Sequence, residues 1–202
     1  KMRLKTTKPT IGFIGAGNMG LPMVKNLIKK GFHVKVYDIN SKITKKLEKD
    51  NIKSVNNLRA VANNNFIISI LPDTQNVESV FNINTGINSY LKPGTIVVDM
   101  STISSSSAID IGKKLQKEQI EFLDAPVSGG IKGAINANLS IMVGGKKVTY
   151  QNSLDVLNSL GENIIYAGKL GMGQVFKMCS QIMVGSHIQA MGEAFALCKS
   201  KG

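Results

Sequence analysis

A chain of 202 residues, 43% of them apolar, can bury one sizeable domain and part of a second. Its formal net charge of +12 is carried almost wholly by lysine, Arg3 and Arg59 being the only arginines. Nucleic-acid surfaces favour the planar fork of arginine, so the scattered lysines read as a solvated basic surface that attracts small anions and takes no nucleic acid.

In chain order, residues 1–9 lack the apolar core of a secretory signal. Thr10–Ile14 reads as a buried strand, 15–20 as a glycine-rich turn, and 21–30 as a helix with Met23, Leu27 and Ile28 on one side, closed by Gly31. His33 opens the next strand, 33–38. Strand, turn, helix and strand make one unit of about thirty residues. Ser41 is placed to cap a helix running to about Asp50, and a short helix falls within 55–65. Strands are then expected at 66–71, 95–100, 122–124, 139–143 and 164–167, with helices at 75–81, 105–118 and 148–160. The alternation predicts a mostly parallel sheet covered on both faces.

From Gly173 to about Ser200 a long helix is apolar on more than one face, so another chain or a following domain must cover it. Lys177, Gln181, His187, Gln189 and Glu193 on it argue for a buried helix rather than a membrane span. Cys179 and Cys198 stand nineteen residues apart on this helix. That is about 28 Å at ~1.5 Å per residue, too far to pair, so they are expected as reduced core residues of an intracellular protein. His33 and His187 have no partners at ligand spacing, so no metal site is expected.

Three features carry chemistry. In the loop Gly15, Ala16, Gly17, Asn18, Met19, Gly20, the first glycine permits a tight turn, the second lets backbone approach a pyrophosphate, and the third allows close helix–strand packing. Free N–H groups at the helix start complete the anion site. Asp38, eighteen residues beyond Gly20, is spaced to hold the adenosine ribose hydroxyls. It repels a 2′-phosphate, and Ile39 rather than arginine follows, so NAD is favoured over NADP. Lys177 is a lysine on an apolar helix; burial would draw its pKa towards neutrality and suit it to proton transfer. Gln181 lies one turn further on the same face. Alone, Lys177 is as readily a side chain that snorkels to solvent. Finally, the DAPVSGG run at 124–130 presents the Ser128 hydroxyl and the N–H groups of Gly129 and Gly130 to an anion such as a carboxylate. No His/Asp pair accompanies Ser128, which argues against a hydrolytic nucleophile.

These motifs, with Leu71-Pro72 and Asn76, DMST at 99–102, LSIMVGG at 139–145 and GMGQVFK at 171–177, resemble the β-hydroxyacid dehydrogenases, the family of 3-hydroxyisobutyrate dehydrogenase and 2-hydroxy-3-oxopropionate reductase. The resemblance implies an α/β fold: a Rossmann-type, doubly wound NAD-binding domain over 1–170. Residues 171–202 would then be a long interdomain helix opening an all-helical second domain, and the protein a homodimer or homotetramer. It implies that 15–20 and Asp38 hold the adenosine half of NAD and that Leu71, Pro72, Asn76 and Thr102 line the nicotinamide half. Ser128, Gly129, Gly130 and Gln181 would bind substrate, and Lys177 would be the general acid/base. The implied reaction is NAD-dependent oxidation of a small anionic β-hydroxy acid to its semialdehyde, 3-hydroxyisobutyrate first, in the cytoplasm or the mitochondrial matrix. Reduction of tartronate, glyoxylate or succinic semialdehyde is the near alternative. A non-catalytic oligomerisation module of the same fold is the distant one, and the presence of Lys177 argues against it. The chain departs from the family pattern at Ser180-Gln181, where Asn-Asn or Asn-Gln is usual, at Ser105, where proline is usual, and at Ala137-Asn138, where Gly-Thr is usual.

Overall fold

The computed structural model describes residues 8–202, so segment 1–9, on which the expectation of no secretory signal rests, lies, but for its last two residues, outside the described residues. The strands are β1 (Thr10–Ile14), β2 (His33–Tyr37), β3 (Ser54–Val55), β4 (Phe66–Ser69), β5 (Ile96–Asp99), β6 (Glu121–Asp124), β7 (Val127–Ser128), β8 (Leu139–Gly144) and β9 (Gly161–Gly168). The helices are α1 (Gly20–Lys29), α2 (Ser41–Lys49), α3 (Leu58–Ala62), α4 (Thr74–Val80), α5 (Ser105–Lys117), α6 (Gly130–Asn136), α7 (Lys147–Leu157) and α8 (Met172–Ser200). Among the described residues the strands join in one sheet of order β3-β2-β1-β4-β5-β6-β8-β7, with β9 also paired to β8. Pairing is parallel from β3 through β6 and between β8 and β9; β8 runs antiparallel to β6 and β7. This is the doubly wound, mostly parallel architecture expected.

The strands are apolar on both sides because both faces are covered. Ile11, Phe13, Phe66, Ile68, Val98 and Leu123 enter one buried cluster with Met23 and Leu27 of α1. Their alternates Ile14, Ile67, Val97 and Phe122 enter a second with Val61 of α3, Val77 of α4 and Leu115 of α5. A period of two that feeds two cores is what a sheet buried between helix layers requires.

The structure corrects several expectations. Asn40, not Ser41, caps α2: it has the extended backbone of a cap, and its Oδ1 accepts the Lys42 N–H at 3.0 Å. The strand expected at 164–167 begins at Gly161, and β3, β7 and α6 have no counterpart in the sequence reading. Helix α6 contains Gly130 and Gly133, poor helix formers. A Cβ on Gly133 would sit 3.0 Å from the tip of the Leu139 side chain, a tight contact that favours glycine there. Cys179 and Cys198 are exposed rather than in the core. Only the first turns of α8 are buried, at Gly173, Gln174 and Lys177, and no other element of the described chain covers its outer length.

Candidate active site

Parallel strands place their carboxyl ends on one edge, and the order β2-β1-β4 puts the switch point of the winding beside β1, where ligands of open α/β sheets bind. The glycine loop occupies that position. Gly15 has φ +92°, and a Cβ there would lie 2.3 Å from the Ile70 carbonyl; a Cβ on Gly20 would lie 1.9 Å from the Gly15 carbonyl. Both close approaches are therefore open only to glycine. Gly17 is the opposite case, with nothing within 4 Å of the space its Cβ would take. Met19 at the start of α1 makes no capping bond, and the first turn has no acid. The positive helix end therefore faces open space above Gly17, a fit to a bound pyrophosphate.

Asp38, just past β2, accepts the Ala16 N–H on Oδ2 at 2.7 Å and the Asn40 N–H on Oδ1 at 2.8 Å. The acid is thus tied directly to the loop, and its remaining lone pairs can accept ribose hydroxyls. Leu71 and Pro72 follow β4; the Leu71 N–H donates to Ser101 Oγ at 2.9 Å. Asn76 is exposed and held by Asp73, which caps α4. Thr102 is exposed in the loop after β5. Leu71, Pro72 and Thr102 follow the carboxyl ends of β4 and β5, the edge that also carries the glycine loop.

Two buried carboxylates lie at the same edge, paired across β5 and β6. Asp99 is fully buried; its Oδ1 accepts from Ser69 Oγ at 2.8 Å and Ser101 Oγ at 2.6 Å, while its buried Oδ2 has no partner among the described residues. Asp124, also fully buried, accepts the Gly171 N–H at 2.7 Å and the Gln174 N–H at 3.0 Å. It therefore seats the start of α8. The approach is close: a Cβ on Gly144 would lie 2.5 Å from Asp124 Oδ1, and one on Gly173 would lie 2.4 Å from the Met142 carbonyl. Gln174 continues the chain of bonds. Its Oε1 accepts the Ile103 N–H at 3.1 Å, and its Nε2 donates to the Ser101 carbonyl at 2.9 Å.

Burial pushes both carboxyls up from 3.8 to about 6, Asp99 against the hydroxyls of Ser101 and Ser69, Asp124 against the N–H groups of Gly171 and Gln174. A raised acid holds its proton more tightly folded than unfolded, so stability is greatest below the unfolded pKa and falls as pH rises to the folded one. The melting temperature of the wild type relative to Asp99→Asn should therefore fall between about pH 4 and about pH 7 and then level off. Calorimetric scans across that window test this; a constant difference would show that Asp99 does not carry the shift.

Lys177, one turn beyond Gln174, is buried at 6% exposure, and desolvation lowers its pKa. That removes the snorkelling alternative. Ser128 ends β7 and is half-buried. Gly129 (φ +127°) and Gly130 (φ +59°) turn the chain into α6, whose start has no side-chain cap. Gln181 is exposed one turn past Lys177. The sequence reading assigned no role to Ser69, Asp99, Ser101, Asp124 or Gln174. The signal available was an acid closing each of two adjacent apolar strands, IVVD and EFLD. Among the described residues no group of three His, Cys, Asp or Glu could hold a metal ion, and no helix is long and apolar enough to cross a membrane.

The fold and loop define a Rossmann-type dinucleotide-binding domain. Residues 10–168 match the family described as the NAD binding domain of 6-phosphogluconate dehydrogenase. The probable mitochondrial 3-hydroxyisobutyrate dehydrogenase of Dictyostelium discoideum is 35% identical over 198 residues, 98% of this chain and 62% of the relative. The 2-(hydroxymethyl)glutarate dehydrogenase of Eubacterium barkeri is 36% identical over 188 residues, 93% of this chain and 62% of the relative. The solved structure of Mycobacterium tuberculosis 3-hydroxyisobutyrate dehydrogenase with L-serine superposes with a TM-score of 0.92 at 31% identity, covering 97% of this chain and 67% of that one. The chain belongs to the β-hydroxyacid dehydrogenase family and spans about two thirds of the length of these relatives.

Proposed function

We propose that the chain is the cofactor-binding part of an NAD-dependent dehydrogenase that interconverts a small β-hydroxy acid and its semialdehyde, with 3-hydroxyisobutyrate the first substrate to test. The observation that carries this reading is Lys177: a buried lysine of lowered pKa, on a helix seated by Asp124 at the edge that holds the glycine loop. Gly15 to Gly20 and Asp38 would hold the adenosine half of the dinucleotide, and Leu71, Pro72, Asn76 and Thr102 the nicotinamide half. A bound nicotinamide would supply the acceptor for a hydride from the carbinol carbon. Lys177 Nζ, whose burial favours the uncharged amine, would take the hydroxyl proton as the C–O bond becomes a carbonyl, and return it in the reduction. Ser128 and the N–H groups of Gly129 and Gly130 orient the substrate carboxylate, with Gln181 beside the reacting oxygen.

Residues 171–202 are read as a helix leading into a helical second domain, which also accounts for the exposed Ile182, Ile188, Met191 and Phe195. The working assembly would be a homodimer or homotetramer in the cytoplasm or the mitochondrial matrix. A relative named for 2-(hydroxymethyl)glutarate favours including a dicarboxylate among the substrates. The test is absorbance of NADH with full-length protein and a panel of 3-hydroxyisobutyrate, 2-(hydroxymethyl)glutarate, glycerate and 4-hydroxybutyrate. Absence of turnover with all of them would sink the reading. The same assay tests Asp38: kcat/KM with NAD should exceed that with NADP, and Asp38→Ala should narrow the ratio. A wild type that prefers NADP overturns that role.

A further inference from the structure

We infer that Gln174 is a positioning residue, a clamp that sets the loop Ser101–Ile103 against Lys177. The inference rests on the dehydrogenase reading above and adds to it a residue for which that reading has no role. Gln174 is 2% exposed, and its backbone N–H, Oε1 and Nε2 each have a partner. Its backbone N–H is held by Asp124, its Oε1 by the Ile103 N–H and its Nε2 by the Ser101 carbonyl. The two side-chain bonds fall on either side of Thr102, so that residue's backbone is gripped at both ends by one planar amide. Lys177 lies three residues along the helix, on the same buried side. One side chain therefore joins the loop expected beside the nicotinamide to the helix that carries the proton-transfer group. The Ser101 hydroxyl extends the same frame to the third loop by accepting the Leu71 N–H.

The choice of residue supports a clamp over a simple filler. An apolar side chain would pack against the sheet, but would leave the Ile103 N–H and the Ser101 carbonyl buried without partners. A carboxylate would satisfy the first and repel the second. A neutral amide offers a donor and an acceptor at fixed separation without charge. Hydride and proton leave the substrate from adjacent atoms, so the spacing of the two acceptors matters. A misplacement on the order of 1 Å can slow such a step by about a hundredfold.

The test is Gln174→Met in the full-length protein, which keeps length and volume. Gln174→Glu, which keeps the shape but sets a charged acceptor against the Ser101 carbonyl in place of the donor, is the second variant should the first not fold. In the cofactor-free protein, amide exchange at Ile103 should accelerate. With cofactor and substrate, kcat per folded site should fall by about tenfold or more, and the primary deuterium isotope effect should rise as hydride transfer becomes rate-limiting. A residue that only stabilises the fold would lower the melting point and leave the isotope effect and kcat per folded site as they were; that result overturns the inference. Wild-type protein inactive on every hydroxy acid would overturn the dehydrogenase reading as well, whereas an active wild type with an unaltered variant would overturn the clamp alone.

Discussion

Lys177→Ala should lower kcat by about 10²–10⁴-fold, the usual contribution of a positioned general acid or base, while the Kd for NADH stays close to that of the wild type. The two effects separate because of geography. The glycine loop and Asp38, proposed above to hold the dinucleotide, lie at the ends of β1 and β2, whereas Lys177 belongs to α8, seated on β6. Removing the amine therefore takes away a proton acceptor without touching the adenosine side. Desolvation has already lowered the pKa of this lysine. Arginine, which stays charged at any working pH, should be no better than alanine. Turnover should then return in part when a small primary amine is added to Lys177→Ala, since the cavity left by the butylamine chain can admit one. Steady-state kinetics and fluorescence titration of NADH check both halves. Turnover that survives the alanine change, or a loss of activity matched by a loss of NADH binding, would show that Lys177 does not move the proton.

The parts of this site that the sequence announces are those whose geometry is local. Gly15, Gly17 and Gly20 declare themselves because a turn and a close backbone contact are settled within six residues, and Asp38 because the β-α-β unit has a fixed length. The interior network is hidden for the opposite reason. Ser69 meets Asp99 thirty residues away, and Gln174 meets Ser101 seventy-three residues away, through strand order that no local pattern encodes. Helix α6 escapes because its two glycines lower helix propensity: Gly130 starts the helix at positive φ, and Gly133 packs close to the Leu139 side chain. Cys179 and Cys198 mislead for a third reason. An apolar helix reads as core in sequence, but whether this chain itself covers the outer turns is a matter of topology.

Asp124→Ala should unseat α8. The carboxylate carries two charge-assisted bonds, to the N–H groups of Gly171 and Gln174, both buried. Such bonds are worth about 1.5–3 kcal/mol each, and donors left unpaired in the interior cost about 1–3 kcal/mol. Burying the carboxylate is itself unfavourable, as its pKa of about 6 records, so the net loss is smaller than the sum of the bonds. Alanine removes the charge yet leaves the two donors, and the unpaired donors dominate: a loss of about 2–4 kcal/mol is expected. At about 2–4 °C per kcal/mol for a domain of this size, the melting temperature should drop by ~4–16 °C. Asn at this position keeps one acceptor and turns an NH2 group towards the second donor, so it should fall between wild type and alanine. Gly144→Ala attacks the same seat from the sheet side, where its Cβ would lie 2.5 Å from Asp124 Oδ1, and should produce a comparable drop. Because the helix start carries Lys177 with it, turnover of the folded Asp124→Ala protein should fall too, measured well below its melting point. A variant that melts with the wild type and turns over at the same rate would mean that the contacts at Gly144 and Gly173 alone hold α8 in place.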